Sequence, residues 1–319
     1  MELDALVGHR VALRHRIGDR DGRPLYSDAV GELTTDGDDV LVAARRGQVR
    51  VARAAVVAVR AVPPAPPRRA SLTAIARLEN LCADAWPAQV DEPLGDWRLR
   101  AAGGYTGRAN SALAVGSPGM PTAAALDAVR TYAARNGIGP RVQVPAGTPW
   151  DTAVAGGGWT LDVAHEAGAE STVQVVELDA LRRTALSSEP LRRTCRSSDR
   201  PDAAWWGVVA GGEPSPARRG VLDPASDLPL AFLQVPGSGA LRAALVEDHV
   251  HLSALAVDPA ARRRGLASAL LAAAAEWGLE RGARFGVLQV ALHNTGARTL
   301  YAGLGFVEHH RYRYLVPPS

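Results

Sequence analysis

Hydrophobic and polar residues alternate along the first sixty positions of this chain. Five short segments show the period of two that is typical of strands with one buried face: residues 10–14, 29–33, 40–43, 48–51 and 56–60. Together with a turn at residues 36–39, they predict a small antiparallel barrel over residues 1–62. We expect one long loop in it, from about residue 18 to residue 28. Such a barrel either docks a peptide or partner domain, or serves as a packing or dimerisation module.

A proline-rich segment at residues 63–69 predicts a semi-rigid linker. After it, the apolar spacing changes and alternates between helical and strand periods. The predicted helices and strands of this region are 75–86 (helix), 97–100 (strand), 110–115 (strand), 123–136 (helix), 141–144 (strand) and 148–155 (helix).

This order of elements occurs a second time further along the chain. The sequence Ser-Ala-Leu-Ala-Val stands at residues 111–115 and again at residues 253–257. The recurrence predicts a tandem repeat, with one half at 70–180 and the other at 181–319. Between the repeated elements, residues 182–227 predict an interdomain segment with one ordered patch at 203–209. Its Trp205 and Trp206 either line an acceptor pocket or pack in a core.

Composition and charge exclude several classes of function. The chain of 319 residues carries a net charge of +3, and its basic residues, all arginine, are dispersed, so nucleic-acid binding is not supported. No apolar run is long enough to cross a bilayer, and the first residues lack the pattern of a signal peptide. We therefore expect a cytoplasmic protein without a membrane partner, with Cys82 and Cys195 reduced. Whether it forms a homodimer is left open.

The strongest chemical signal lies at residues 253–268, where an apolar strand passes through an arginine-rich turn into an alanine-rich helix. The first N–H groups of a helix are free to bind an anion, and Gly265 and Ala267 keep the approach clear. Arg262, Arg263 and Arg264 add positive charge. The pattern predicts a site for a phosphate-bearing cofactor, the alternative being an ordinary turn with a solvated basic surface.

Further residues follow this loop in a characteristic order: a strand at 285–291, then Asn294, Ala297, Tyr301 and a Leu-Gly-Phe sequence at 304–306. With the Arg-x-x-Gly-x-Ala pattern of the loop, they resemble the GCN5-related N-acetyltransferase (GNAT) family. The resemblance implies an α+β tandem GNAT fold, with mixed central sheets flanked by helices and a degenerate first half, behind an SH3-like barrel. The arrangement also resembles actinobacterial two-half acetyltransferases, some labelled N-acetylglutamate synthase or histone-like acetyltransferase.

The same resemblance implies acetyl-coenzyme A as the acetyl donor, with no metal. The residues expected to bind it are Leu255, Ala256, Val257, Arg262, Arg263, Arg264, Gly265, Leu266, Ala267, Ser268, Asn294 and Ala297. Main-chain N–H groups at 255–257 would polarise the thioester, because that strand is expected to splay from the next one. Asn294 would contact the cofactor or cap the following helix.

The resemblance makes Tyr301 the general acid that protonates the departing thiolate. His251 shares a strand face with Ser253 and is a candidate base, with Glu247 and Asp248 as alternatives acting through water. His309 and His310 resemble a metal cluster only superficially, because neighbouring strand residues point to opposite faces. The loop at 116–121 of the first half contains no arginine, so we expect that half to have lost the cofactor site.

The acceptor amine stays open at this point. A small molecule or amino acid such as glutamate would need a positive clamp, for which Arg100, Arg108 and Arg242 are candidates. A protein lysine or amino terminus would require an open groove, and the barrel would recruit the target protein. The third interpretation is a non-catalytic acyl-coenzyme A sensor or partner-binding module.

Overall fold

The structure, a computed structural model, describes residues 3–44, 47–62, 70–185 and 189–318. Contacts divide the chain into two units, Met1–Arg68 and Arg69–Ser319. The predicted linker at 63–69 lies outside the described residues. No helix in the described ranges has the length and apolar character needed to cross a membrane.

The first unit is a five-stranded antiparallel sheet with the strand order β4-β3-β2-β1-β5. Its strands are β1 (Arg10–Arg20), β2 (Arg23–Asp36), β3 (Asp39–Ala44), β4 (Gly47–Ala52) and β5 (Val56–Ala61). Apolar side chains from alternate positions, such as Val11, Leu13 and Leu33, form its core. The sheet is consistent with the predicted small barrel-like domain.

The prediction of a long loop at residues 18–28 is wrong. β1 and β2 continue their pairing to Arg20 and Arg23, and the turn between them consists of Asp21 and Gly22, with φ of 51° and 75°. Both residues adopt the left-handed conformation that tight hairpins require. The polar composition of the segment suggested a loop, whereas it forms an exposed hairpin arm.

The second unit contains a 12-stranded sheet. Its strands are β6 (Val90–Leu94), β7 (Trp97–Ala101), β8 (Ala112–Leu113), β9 (Val142–Pro145), β10 (Thr160–Leu161), β11 (Glu170–Glu177), β12 (Arg196–Ser198), β13 (Leu230–Val235), β14 (Gly239–Val246), β15 (His249–Val257), β16 (Phe285–Ala291) and β17 (Val307–Val316). The helices are α1 (Leu72–Ala85), α2 (Thr122–Arg135), α3 (Pro149–Gly156), α4 (Leu178–Thr184), α5 (Glu189–Arg192), α6 (Ala203–Ala210), α7 (Pro216–Leu222), α8 (Leu266–Leu279) and α9 (Thr295–Gly303).

A repeated β-α-β unit confirms the tandem architecture. In the first half, β8 and β9 run parallel and α2 connects them. In the second half, β15 and β16 run parallel and α8 connects them. Because parallel neighbours need a crossover, the same sequence order produces the same local geometry twice.

The two halves share strands rather than standing side by side. β11 precedes the expected boundary at residue 180, yet it pairs with β16 and β17 of the second half. β17 pairs with β11 over its first part and with β9 and β10 over its last residues. The boundary at 180 therefore stays a prediction, and the hydrogen-bonding pattern crosses it.

The described part of the segment 182–227 contains more regular structure than the one ordered patch expected at 203–209. It contains the end of α4, then α5, β12, α6 and α7. Asp202 and Ser215 cap α6 and α7 by accepting hydrogen bonds from the N–H groups of Trp205 and Arg218. These caps, with Pro216 at the helix start, explain why a Pro- and Ser-rich stretch forms short helices.

The two faces of the central sheet are covered by different helices. Leu252, Leu288 and Val290 face a core that includes α8. The opposite face receives Leu78 and Leu81 of α1. Since side chains alternate along a strand, His251, Ser253 and Gln289 lie on the α1 face.

Candidate active site

A groove of about 840 Å³ runs along the start of α8. Most of the residues expected to bind the cofactor line it: Leu255, Ala256, Val257, Arg262, Arg263, Gly265, Leu266, Ala267, Ser268 and Ala297. Gly265 is the N-cap of α8 with φ of 81° and provides no side-chain cap, so the first N–H groups of this 14-residue helix have no side-chain acceptor among the described residues. Arg264 and Asn294 lie outside this lining.

The arginines of the loop are positioned to receive negative charge. Arg262, Arg263 and Arg264 are exposed, and none of them forms an ion pair with another described residue. Arg262 donates only to the carbonyl of Val257, at 3.3 Å. Free guanidinium groups beside an open helix N-terminus fit a pyrophosphate group.

The corresponding loop of the first half is closed by the protein's own carboxylate. Asp96 Oδ2 accepts a hydrogen bond from the N–H of Ser117 at 2.7 Å. A Cβ atom on Gly116, whose φ is 77°, would lie 2.5 Å from the same carboxylate oxygen. Asp96 thus holds this loop through an internal contact, and the loop contains no arginine.

β15 and β16 separate beside the groove. Their pairing covers only His249 to His251, opposite Phe285 to Val287. Three residues later Ala254 adopts φ of 51°, and the pairing of β15 with β14 shifts register in this region, which together mark a β-bulge. The expected splay is therefore present in the structure.

A second cavity, of about 210 Å³, fills the gap between the separated strands. Leu252, Leu288 and Tyr301 line it from the α8 side, and Ser253 and Gln289 from the α1 side. Leu255 lines both this cavity and the larger groove. The two spaces therefore meet at the strand whose N–H groups were expected to contact the thioester.

Tyr301 and Asn294 flank this cavity at opposite ends of α9. Tyr301 packs against Phe306, with ring centroids 5.5 Å apart, and burial raises the pKa of its hydroxyl to about 12. The hydroxyl therefore stays protonated throughout the neutral range and can donate a proton. Asn294 Oδ1 accepts from the N–H of Ala297 at 3.1 Å, so this side chain caps α9.

His251 is fully buried on the α1 face. Neither ring nitrogen has a hydrogen-bond partner among the described residues. Burial, together with the Arg108 and Arg242 guanidinium groups, holds the pKa of His251 well below its usual range. Gln289 opposes this shift, but its amide makes no hydrogen bond of acceptable geometry to the ring. His251 is thus a neutral imidazole at neutral pH.

Two arginines and a tryptophan surround this histidine. The Arg108 guanidinium lies 4.6 Å from the centroid of the Trp86 ring, and the Arg242 guanidinium lies 5.5 Å from it. The Trp86 and His251 rings meet edge to face at 6.2 Å. Trp86 was not among the candidates in the sequence, because it ends a helix of the other half and only the fold brings it here.

The three arginines proposed as a positive clamp have different environments. Arg108 lines the smaller cavity and donates to Gln289 Oε1 at 3.1 Å. Arg242 is fully buried beneath Ser253. Arg100 is also buried, but it bonds Ser111 and Gln143 within the first half. Only Arg108 therefore reaches the cavity.

Glu247 and Asp248 lie far from the chemistry expected at Leu255. Both lie in the turn before β15, and the strand from His249 to Leu255 spans about 20 Å at roughly 3.3 Å per residue. Both carboxylates pair with Arg77, and Asp248 also contacts His249 Nδ1 at 2.8 Å. His251 is the better placed of the candidate bases.

The tryptophan and cysteine candidates of the sequence are buried or half-buried and do not line the groove or the smaller cavity. Trp205 and Trp206 are buried and pack with each other at 5.0 Å, which is the core alternative. Cys82 and Cys195 are free thiols, and burial raises the pKa of both.

His309 and His310 belong to a hydrogen-bonded chain rather than to an isolated pair. Their Nδ1 atoms are 2.7 Å apart, and His310 Nε2 lies 2.8 Å from Oε1 of the buried Glu79. A carboxylate thus joins these histidines, which the sequence did not indicate. Within the described ranges, no three His, Cys, Asp or Glu residues form a group that could hold a metal ion.

Comparisons with known proteins agree with this geometry. A family model described as Probable histone acetyltransferase Rv0428c C-terminal matches residues 72–315. Probable histone acetyltransferase Rv0428c of Mycobacterium tuberculosis is 31% identical over 320 residues, which cover 98% of this chain and 96% of that protein. Uncharacterized N-acetyltransferase YobR of Bacillus subtilis is 26% identical over 253 residues, covering 75% of this chain and 98% of that protein.

A solved structure shares the fold. A GCN5-related N-acetyltransferase from Kribbella flavida superposes with a TM-score of 0.55 at 16% identity, covering 76% of this chain and 95% of that chain. The resemblance first indicated by the arginine loop is confirmed. The chain belongs to the family of the C-terminal acetyltransferase model that matches it, within the GCN5-related N-acetyltransferase superfamily, and is an acyltransferase.

Proposed function

We propose that this protein transfers an acetyl group from acetyl-coenzyme A to the primary amine of a small molecule or amino acid. The observation that carries the proposal is the meeting of two spaces at Leu255. A groove suited to a long phosphate-bearing donor joins a small cavity in the gap between β15 and β16. A donor from one side and an amine from the other would meet at the N–H groups of residues 255–257.

The chain offers a group for each part of the donor. The N-terminus of α8 with Arg262 and Arg263 would hold the pyrophosphate, and the end of the groove beside Leu255 would hold the pantetheine arm. When bound, acetyl-coenzyme A supplies a thioester carbon that forms a bond to the amine nitrogen while the carbon–sulfur bond breaks. The N–H groups at 255–257 would stabilise the negative charge that develops on the carbonyl oxygen.

Two side chains would complete the proton transfers. His251 is neutral and would take the proton that the amine nitrogen loses, directly or through a water in the cavity. Tyr301, with its pKa near 12, would give its proton to the sulfur and recover one from solvent. His251 would then release its proton to solvent, so that the protons balance over one turnover, and the acceptor leaves as an amide.

The size of the cavity favours a small acceptor over a protein side chain. About 210 Å³ fits an amino acid such as glutamate. Acetylation of a peptide or protein recruited by the first unit is the second candidate function. The name of the Mycobacterium tuberculosis relative, a probable histone acetyltransferase, favours it. A non-catalytic acyl-coenzyme A sensor is the third.

Release of free thiol from acetyl-coenzyme A separates these functions. Amino acids, polyamines, aminoglycosides and peptides are tested as acceptors with wild type and Tyr301→Phe. We expect the variant to lose about 10²- to 10⁴-fold in turnover, the usual contribution of a general acid, and to bind coenzyme A as wild type does. Tyr132→Phe is the matched control, since burial raises the pKa of that hydroxyl also to about 12 on a helix of the first half.

The sensor function predicts a different result. In that case the protein would bind acetyl-coenzyme A but release no thiol with any amine, and Tyr301→Phe would behave as wild type. Thiol release with peptides alone would favour the protein acceptor.

A further inference from the structure

We propose that the acceptor carries a carboxylate close to its amine, and that Arg108 of the first half binds this carboxylate. The inference rests on the proposed acetyl transfer and names its substrate class. It starts from the α1 side of the smaller cavity, where Arg108 is the one basic side chain in the lining described by the structure. This side lies opposite the groove expected to hold the donor.

The loop that carries Arg108 is held rigidly. The buried Asn110 side chain uses all four of its hydrogen-bonding positions within this loop. Its Oδ1 accepts from the N–H groups of Ala102 and Gly104, and its Nδ2 donates to the carbonyls of Tyr105 and Thr106, all at 2.8–2.9 Å.

Packing on either side of Arg108 fixes the loop further. A Cβ atom at Gly107 would lie 2.6 Å from His165 and 2.8 Å from Tyr314, so only glycine permits this approach. Trp86 Nε1 donates to Thr106 Oγ1 at 3.0 Å, and the Trp86 ring supports the Arg108 guanidinium. A guanidinium that is fixed before binding loses little entropy when it engages a ligand.

The positive charge at this site is little compensated by the described carboxylates, since Asp223, which acts on Arg242, forms its ion pair with Arg200. Neither Arg108 nor Arg242 forms an ion pair with any residue that the structure describes. Arg242 is fully buried, bonds the carbonyls of Leu222 and Ala85, and leaves Nη2 without a partner. Buried charges are normally paired, so an anion supplied by the ligand would satisfy the site.

This charge also selects among amines. An acceptor that carries only ammonium charge, such as a polyamine or a lysine side chain, would meet the Arg108 guanidinium, with the buried charge of Arg242 behind it, and be repelled. An amino acid brings a carboxylate for the Arg108 fork, while its amine can reach towards Ser253 and the gap beside Leu255. Arginine is suited to this task because its planar donors match a carboxylate.

The test compares amino acids with their primary amides, which keep the amine and the side chain but lack the carboxylate. Thiol release is measured for glycine, L-alanine, L-glutamate and L-phenylalanine and for the four amides, using wild type, Arg108→Gln, Arg108→Lys and Arg135→Gln. Arg135 is the matched control, because it also stacks on an aromatic ring, that of Tyr132 at 5.3 Å, but lies outside the cavity.

We expect at least one amino acid to exceed its amide in kcat/KM. Arg108→Gln should lower kcat/KM for that amino acid by about 10- to 100-fold, mostly through KM, since hydrogen bonds to charged groups contribute about 1.5–3 kcal/mol. The amides should change little, Arg108→Lys should restore part of the preference, and Arg135→Gln should match wild type. Calorimetric binding of the N-acetyl amino acid product in the presence of coenzyme A gives a readout independent of turnover.

Other outcomes would overturn the inference. If amides are acetylated as well as the acids, or if Arg108→Gln keeps both the preference and product binding, the acceptor is not held by a carboxylate, although acetyl transfer itself stands. If no amine releases thiol while coenzyme A binds, the proposed function fails and the inference falls with it.

Discussion

Arg263 and Arg264 are neighbours in the sequence and both are exposed, yet only Arg263 lines the larger groove. The difference arises because Arg263 adopts φ of 62°, which turns the chain between the two residues. Two identical side chains in one loop thereby provide a test and its control.

Replacing Arg263 by glutamine should weaken coenzyme A binding by about tenfold, which corresponds to about 1.4 kcal/mol, because one charge-assisted contact to phosphate is lost. Arg264→Gln should change the dissociation constant by much less. Isothermal titration with coenzyme A measures both. Equal losses in the two variants would mean that the loop acts only through its total charge.

His309 gives the stability of the second unit a pH dependence. Burial and the neighbouring His310 lower its pKa to about 4, while Glu79 acts in the opposite direction and His249 in the same one. Between about pH 6.5 and pH 4, His309 binds a proton in the unfolded chain but not in the folded chain. The free energy of unfolding should therefore fall as the pH drops through this window.

His309→Asn should lose less stability than wild type between pH 7 and pH 4.5. Urea unfolding followed by tryptophan fluorescence reports on the second unit alone, since all seven tryptophans lie between residues 86 and 277. His9→Asn, at an exposed position of the first unit, should keep the wild-type dependence of the free energy of unfolding on pH. If His309→Asn showed the same pH dependence of stability as wild type, His309 would not be its cause.

At the scale of elements, the bulge in β15 opens the gap in which the chemistry is proposed. Ala254 is held at φ of 51°, a conformation that costs a residue with a Cβ atom about 1 kcal/mol. Ala256, two residues later and similarly half-buried, pairs regularly with Ala240. The bulge is thus a strained feature kept within an otherwise regular strand.

Glycine should have opposite effects at these two positions. Ala254→Gly relieves the strain and should leave the free energy of unfolding unchanged or raise it by up to about 1 kcal/mol. Ala256→Gly should lower it by about 0.5–1 kcal/mol, because glycine in a regular strand loses more entropy on folding. Urea unfolding compares them, and equal losses would show that position 254 is not strained.

At the scale of the whole molecule, the second unit contains every residue assigned to the site. The groove, the cavity, His251 and Tyr301 all come from residues after position 100, and the unit has its own cores in both halves. Shared strands β11 and β17 tie those halves into one sheet. The first unit is a separate sheet with its own core.

Deleting residues 1–68 should leave kcat/KM for a small acceptor within about twofold of the full chain, because the proposed site stays intact. Thiol release with the same amino acids measures this, and coenzyme A binding verifies that the shortened chain folds. A loss confined to peptide acceptors would point to recruitment by the first unit. A large loss with small acceptors would contradict the prediction.

The sequence by itself determined the family, the position of the arginine loop before α8 and most of the elements. These signals are local: the 253–268 stretch, the position of Tyr301 after Asn294, and alternation of apolar residues all lie within short segments. Prediction failed where polar composition hid structure, in the β1–β2 hairpin and in the capped helix α7, whereas the ordered patch expected at 203–209 coincides with α6. Those elements depend on turn and cap geometry that composition does not reveal.

Only the tertiary structure decided what surrounds the acceptor cavity. Trp86, Arg108 and Gln289 are separated by up to about two hundred positions in the chain and meet because α1 and the first half cover one face of the second half's sheet. The sharing of β11 and β17 between the two halves was equally unpredictable from the sequence, since burial and register decide which distant strands pair. Local patterns fix the loop that would bind the donor, whereas long-range packing fixes the charge that would meet the acceptor.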